Sequence, residues 1–218
     1  LATFVAADGV REVGIAPREA TVRRVAVTRI PAAAEVVARI RAAQEDDATV
    51  AWVRNTVDDA IAACDALREA GLEPMLFHAR FAMVDRLRVE EAVLARFGRD
   101  STDRRGVLVA TQVIEQSLDL DFDLMVTDLA PVDLLIQRAG RLWRHARGDR
   151  PIPGPELLLL SPDPVDAPGS DWLAGHRGTE AVYRDPALLW RGARALLAAG
   201  GIAAPGGLRA LIEAAAEG

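Results

Sequence analysis

The stretch A-T-V-A-W-V-R-N-T-V-D-D-A-I-A-A-C-D-A-L-R-E-A-G, residues 48–71, carries the repeating unit on which the fold rests. Residues 48–53 are a short apolar run rich in strand formers and too brief for a helix. Two polar residues, Arg54 and Asn55, come next. Thr56 then stands where a helix cap belongs, with Asp58 and Asp59 in the first turn, where carboxylates favour the positive end of the helix dipole. The helical pattern runs over 56–70 and Gly71 closes it. A buried strand, a short loop and an amphipathic helix make one β-α unit.

The same unit recurs on both sides. Strands are predicted at 22–29, 74–79, 106–110, 123–129 and 156–161. Helices are predicted at 31–45, with Pro31 at the start, at 84–97, ending at Gly98, and at 132–146. Strands alternating with helices imply a parallel sheet with helices on both faces. Ligands on such sheets sit beyond the carboxyl ends of the strands, which directs attention to loops 54–56, 78–81, 111–121 and 130–133. Residues 1–20 read as a peripheral lead-in. S-P-D-P-V-D-A-P-G-S (161–170) reads as a linker to two Ala/Leu-rich helices near 186–199 and 205–217. The expected division is therefore 1–160 for the α/β domain and 161–218 for a linker with a small helical C-terminal appendage.

Composition excludes several classes. The chain has 218 residues and a net charge of −6, unlike a non-specific nucleic-acid binder, so any such contact must come from local patches. One cysteine, Cys64, rules out an intrachain disulfide or a cysteine metal cluster. No apolar run approaches a membrane span and no signal-peptide pattern opens the chain, so a cytoplasmic setting is expected. All 26 basic residues are arginine. Without lysine there is no P-loop of the form G-x-x-x-x-G-K-S/T. There is no D-E-x-H or D-E-A-D tetrapeptide, and none of the three histidines precedes an aspartate.

Three stretches carry candidate chemistry. In L-I-Q-R-A-G-R-L-W-R-H (135–145), helical periodicity lines up Leu135, Ala139, Leu142 and Ala146, with Gln137, Arg141 and Arg144 opposite. That second face is either a solvated face or a ligand face. No glutamate lies at i±4 to pair with it, and Gly140 costs about 1 kcal/mol against alanine inside a helix, which suggests a close approach. In T-Q-V-I-E-Q-S-L-D-L-D-F-D (111–123), a calcium loop starting at Asp119 would need glycine at its sixth position and glutamate at its twelfth. Those positions hold Leu124 and Ala130, so calcium is rejected. Asp121 or Asp123 either leads into the next strand or binds a sugar or phosphate. In L-F-H-A-R-F (76–81), His78, Arg80 and Phe81 offer a cation beside a ring, a pairing used for single strands. Asn55 and Thr56 are weaker candidates, since capping explains Thr56.

In order and spacing, V-R-N-T-V-D-D-A (53–60), L-F-H-A-R-F-x-x-x-D-R (76–86), A-T-Q-V-I-E-Q-S-L-D-L-D-F-D (110–123) and D-L-A-P-V-D-L-L-I-Q-R-A-G-R-L-W-R-H (128–145) resemble the motifs of a second RecA-like domain in superfamily-two helicases. The wording of the last two, with H-A-R-F-x-x-x-D-R, resembles the CRISPR-associated helicase–nuclease of type I systems. The tail V-Y-R-D-P-A-L-L-W (182–190) with L-R-A-L-I-E (208–213) is similar to the segment after the motor domain in that family. The resemblance implies a RecA-like fold and ATP with Mg2+, bound in a site shared with a first RecA-like domain.

By resemblance, Arg141 and Arg144 reach the γ-phosphate and Gln137 contacts the phosphate region or its water. Asp119 meets the ribose, and Gly140 lies with it in the nucleotide-binding set. Thr111 and Gln112 touch the DNA backbone; Asn55, Thr56, His78, Arg80 and Phe81 lie on the strand-binding side. The implied partners are single-stranded DNA, the first RecA-like and histidine–aspartate nuclease domains of a parent protein, and a Cascade-type CRISPR surveillance complex, with no membrane. The phosphate loop, acidic metal motif and nuclease residues are missing from this sequence. The chain is therefore expected to be a fragment of a DNA translocase that does not hydrolyse ATP alone. A stand-alone binding or adaptor module, or the second motor domain of another superfamily-two helicase, remain as alternatives.

Overall fold

The computed structural model describes residues 2–6, 9–13, 22–115 and 118–216. Gln116 and Ser117 of the third motif, and residues 14–20 of the lead-in, lie outside these. Among the described residues the main sheet has the order β5-β6-β4-β7-β8-β3-β9. Strands β3 (Arg23–Ile30), β4 (Thr49–Val53), β5 (Met75–Phe77), β6 (Gly106–Ala110), β7 (Leu124–Asp128) and β8 (Glu156–Leu160) run parallel. All five residues of β4 and of β7 are buried, as expected for central strands covered on both faces.

Helices α1 (Ala33–Glu45) and α2 (Val57–Glu69) bury Val36, Ile40, Cys64 and Leu67 against one face of the sheet. On the other face lie α3 (Met83–Phe97), α4 (Val132–Ala139), α6 (Pro186–Ala199) and α7 (Leu208–Ala216). Between β6 and β7 the described residues hold a short 3-10 turn, Gln112–Glu115, against this second face, so residues 111–115 and 118–123 make a strap from the carboxyl edge of the sheet to its amino edge. Thr56 caps α2 as its sequence suggests, its hydroxyl accepting Asp59 N–H at 3.1 Å.

Three features differ from the sequence reading. The predicted helix 132–146 ends at Ala139, with Gly140 as its cap. A Cβ at Gly140 would stand 2.8 Å from Gln137 O, so a residue with a side chain would push on the helix's own backbone. Second, residues 1–20 include a two-stranded antiparallel ribbon, β1 (Ala2–Ala6) with β2 (Gly9–Val13). Third, the tail does not stand apart. Strand β9 (Gly201–Ala204) pairs antiparallel with β3 at the sheet edge, and a short helix, α5 (Arg177–Val182), packs over the carboxyl edge. Leu189, Ala193, Leu196 and Leu211 share one core with Val25, Met125 and Leu157.

Because α6 belongs to this common core, Leu196→Ala is expected to destabilise the domain by about 2–5 kcal/mol. In urea unfolding followed by circular dichroism it should shift the same single transition that Leu67→Ala shifts. A transition unmoved by Leu196→Ala would mean that the tail is a separate unit.

Candidate nucleotide half-site and nucleic-acid edge

The topology separates the candidate residues into two groups. Helix α4 starts beyond the carboxyl end of β7 and runs back, so its far end reaches the amino edge of the sheet. Phe122, just ahead of β7, donates its N–H to Arg141 O at 2.9 Å and accepts from Trp143 N at 3.0 Å. Arg141, Arg144, Gly140 and Asp119 therefore gather at the amino edge. The strand-end loop 130–133 holds the start of the helix, and the arginines sit at its other end.

Neither arginine lies on a solvated helical stripe. Arg141 is 9% exposed, and its guanidinium donates to Leu118 O and to Glu115 O, the latter at 3.3 Å. Burial, and then the charge of Arg144, lower its pKa against the pull of Asp119 and Glu115. The Arg144 side chain is 41% exposed and donates through Nε to Asp119 Oδ1 at 2.6 Å. His145 Nε2 stands 3.1 Å from the same oxygen. Burial acts to raise the Asp119 pKa, but the hydrogen bond from Arg144 and the charges of His145 and Arg144 outweigh it and hold the carboxyl below its ordinary value. Gln137 is exposed on α4, one turn before Arg141.

Around this turn lies a network that sequence reading missed. Asp121 and Asp123 are buried at the entry to β7. Asp121 receives Arg147 Nε at 2.5 Å and Arg150 Nη2 at 3.0 Å; Asp123 receives Arg150 Nη1 at 2.7 Å. Arg104 stands 3.5 and 3.6 Å from the two carboxylates. Both aspartates therefore have internal cationic partners, which excludes the sugar- or phosphate-binding alternative for them in this conformation. A cavity of about 720 Å3 opens beside the network, lined by Arg23, Arg24, Trp143, Arg144 and Arg147 among others.

The second group sits at the carboxyl edge. His78 and Phe81 stack with ring centroids 4.1 Å apart, and burial lowers the His78 pKa. Arg80 is exposed and pairs with Asp58 at 2.9 Å. Thr56 and Gln112 are partly exposed, and Gln112 Nε2 donates to Asn55 O at 2.8 Å. Thr111 is buried. Asn55 does not present its side chain to a strand: it is 3% exposed, and its amide donates to Leu129 O at 2.7 Å and to Thr179 Oγ1 at 3.0 Å. The reason is α5, which closes over this loop. A Cβ on Gly178 would collide with the Asp59 carboxylate, so glycine there admits the close approach.

Arg138, also missed, joins the groups. It is fully buried, donating to Glu115 Oε1 at 2.7 Å, Thr127 Oγ1 at 2.7 Å and Asp128 O at 3.2 Å. Asn55 Oδ1 and Tyr183 OH lie at 3.5 and 3.4 Å. Periodicity held the signal: residues 135, 138, 139 and 142 share one face, which places this arginine among Leu135, Ala139 and Leu142.

Residues 46–147 match the family described as CRISPR-associated nuclease/helicase Cas3, C-terminal. The Cas3 of Thermus thermophilus is 46% identical over 151 residues, which is 66% of this chain and 15% of that protein. The chain belongs to the Cas3 family. A crystal structure described as a CRISPR-associated protein superposes over 99% of this chain and 24% of its own, with TM-score 0.85 and 40% identity. T. fusca Cas3 solved with ATP gives TM-score 0.74 at 29% identity, over 94% of this chain and 25% of its own. A chain in a CRISPR RNA-guided surveillance complex, pre-nicking, gives TM-score 0.72 at 29% identity, over 95% and 26%. The match favours the Cas3 family over the second motor domain of another superfamily-two helicase. The chain spans about a quarter or less of the length of these relatives and solved chains. Its RecA-like fold and its place in the C-terminal helicase region of Cas3 agree with the motif order.

The paired Asp119 should titrate below the usual aspartate range. Arg144→Ala should raise its pKa, read by carboxyl carbon NMR between pH 2 and 6. The pair's contribution to stability is present above the ordinary aspartate pKa and fades as pH falls through the lowered folded value. An Asp119 pKa indifferent to Arg144→Ala would show that the two are not coupled.

Proposed function

We propose that this domain completes the ATP site of a Cas3 translocase, with the turn at residues 140–144 offering charge to nucleotide phosphates and the carboxyl edge carrying single-stranded DNA. The observation that carries the reading is the partly exposed Arg144, which lines a cavity with Arg23, Arg24, Arg147 and Arg150 in a chain of net charge −6. The residues fit a polyphosphate. A guanidinium offers several parallel N–H donors and a fixed charge, and Asp119, which now occupies one of them, can turn to a ribose hydroxyl. The bound nucleotide with its Mg2+ supplies the phosphoanhydride whose cleavage drives movement. The phosphate loop and the metal-binding acids belong to the first RecA-like domain of the parent protein, for this sequence has neither a lysine nor a D-E-x-H or D-E-A-D tetrapeptide.

Within this frame Arg144 stabilises charge that grows in the transition state, and Arg141 holds Glu115 and Leu118 against the turn. Gln137 contacts the phosphate region, and Gly140 lets helix and turn close together. On the DNA side, Arg80, Phe81, Thr56 and Gln112 face the strand. Asn55, Thr111 and His78 act behind them by fixing the loops. The parent's nuclease domain and a Cascade-type surveillance complex are the partners, and the cytoplasm the setting, that this role requires.

In the full-length parent protein, Arg144→Ala should lower DNA-stimulated ATP turnover by about 10³–10⁵, measured by phosphate release. DNA affinity should stay nearly unchanged in a polarisation assay. Normal turnover would sink the assignment.

A further inference from the structure

Arg23 opens β3 and lies outside the family-matched residues. Its half-buried side chain crosses to the arginine turn, donating from Nη2 to Gly140 O at 3.2 Å and from Nη1 to Leu142 O at 3.3 Å. These two carbonyls flank Arg141. From the other side, Asp121 Oδ1 accepts Arg144 N–H at 2.9 Å. The turn so gripped is not one the chain adopts readily. Trp143 has φ +46°, a left-handed conformation that costs a bulky residue about 1–3 kcal/mol and persists only where the surroundings over-determine it. Burial and the nearby Arg144 charge both lower the Arg23 pKa, with Asp121 opposing. A cation is thus kept here at a cost, and its contacts among the described residues are backbone carbonyls.

We propose that Arg23 is a positioning residue for ATP turnover: by bridging the carbonyls of residues 140 and 142 it holds the turn in the shape that aims Arg144. The inference rests on the finger role proposed for Arg144. Two N–H donors on one rigid plane can span carbonyls two residues apart. The ammonium of lysine is a point donor on a flexible stem and cannot hold both in fixed register.

The test uses the full-length parent protein carrying Arg23→Gln, Arg23→Lys, Arg144→Ala, or Arg23→Gln with Arg144→Ala. Both Arg23 variants should lower DNA-stimulated kcat about tenfold or more, a loss worth roughly 1.4 kcal/mol of barrier. KM for ATP, DNA affinity and the thermal midpoint should stay near wild type. Arg23→Gln should add little to Arg144→Ala, since residues acting as one unit are not additive. Full rescue by lysine would reduce Arg23 to a charge and overturn the bridging role. Parallel loss of kcat, DNA affinity and thermal midpoint would make it merely structural and overturn it too. If turnover dies in Arg144→Ala but survives in Arg23→Gln, this inference alone fails. If turnover survives in Arg144→Ala, the finger reading fails and takes this inference with it.

Discussion

A buried guanidinium is costly unless each of its donors finds an acceptor, and that constraint on Arg138 organises the domain. Its Nε takes Glu115 from the strap, and its Nη1 takes the Thr127 hydroxyl and the Asp128 carbonyl at the end of β7. Asn55 after β4 and Tyr183 after α5 stand against Nη2. Four segments distant in sequence must therefore keep their mutual geometry, or a charge is left stranded in the core. Such a pair is weak evidence for net stability. Its value is that it specifies one arrangement of strap, strand ends and α5.

That arrangement links the two edges of the sheet. The strap leaves the carboxyl edge at Thr111, passes Arg138 at Glu115 and arrives at the amino edge at Asp119 and Asp121. The carboxyl edge meets it through Gln112 and Asn55, and the amino edge through Arg141, whose guanidinium lies on the strap's carbonyls. The arginine turn is then fastened by Arg23 and by the carboxylate network of Asp121 and Asp123. Arginine suits every one of these posts because one planar group can reach several acceptors in different segments. In a chain without lysine, the same residue type serves as internal fastener and as exposed cation, and burial alone tells the two uses apart.

The central elements were legible because their signals are local. The apolar run at 106–110 and the cap at Thr56 are found where the sequence predicts them, and the motif order identified the family. The misreadings share a cause: each depends on contacts across the fold. Helical periodicity continues through 132–146, yet the backbone leaves the helix at Gly140 and tracks Phe122 instead. Asn55 reads as a loop residue free to bind, but α5, concealed after a Pro/Gly-rich stretch, covers it. Strand β9 is four residues, Gly201–Ala204, with no strand-like composition, and it forms because β3 offers it an edge. Arg23 carries no local mark at all, since its acceptors lie 117 and 119 residues away.

If the arginine turn completes a phosphate site, its grip must be stronger in the transition state than in the ground state. The affinity of the full-length parent protein for ADP–aluminium fluoride and for ADP alone, with single-stranded DNA present, reads that difference directly. Arg144→Ala should weaken binding of the analogue by roughly a hundredfold or more and leave ADP nearly untouched. Equal affinity for the analogue in wild type and variant would contradict the role given to the turn.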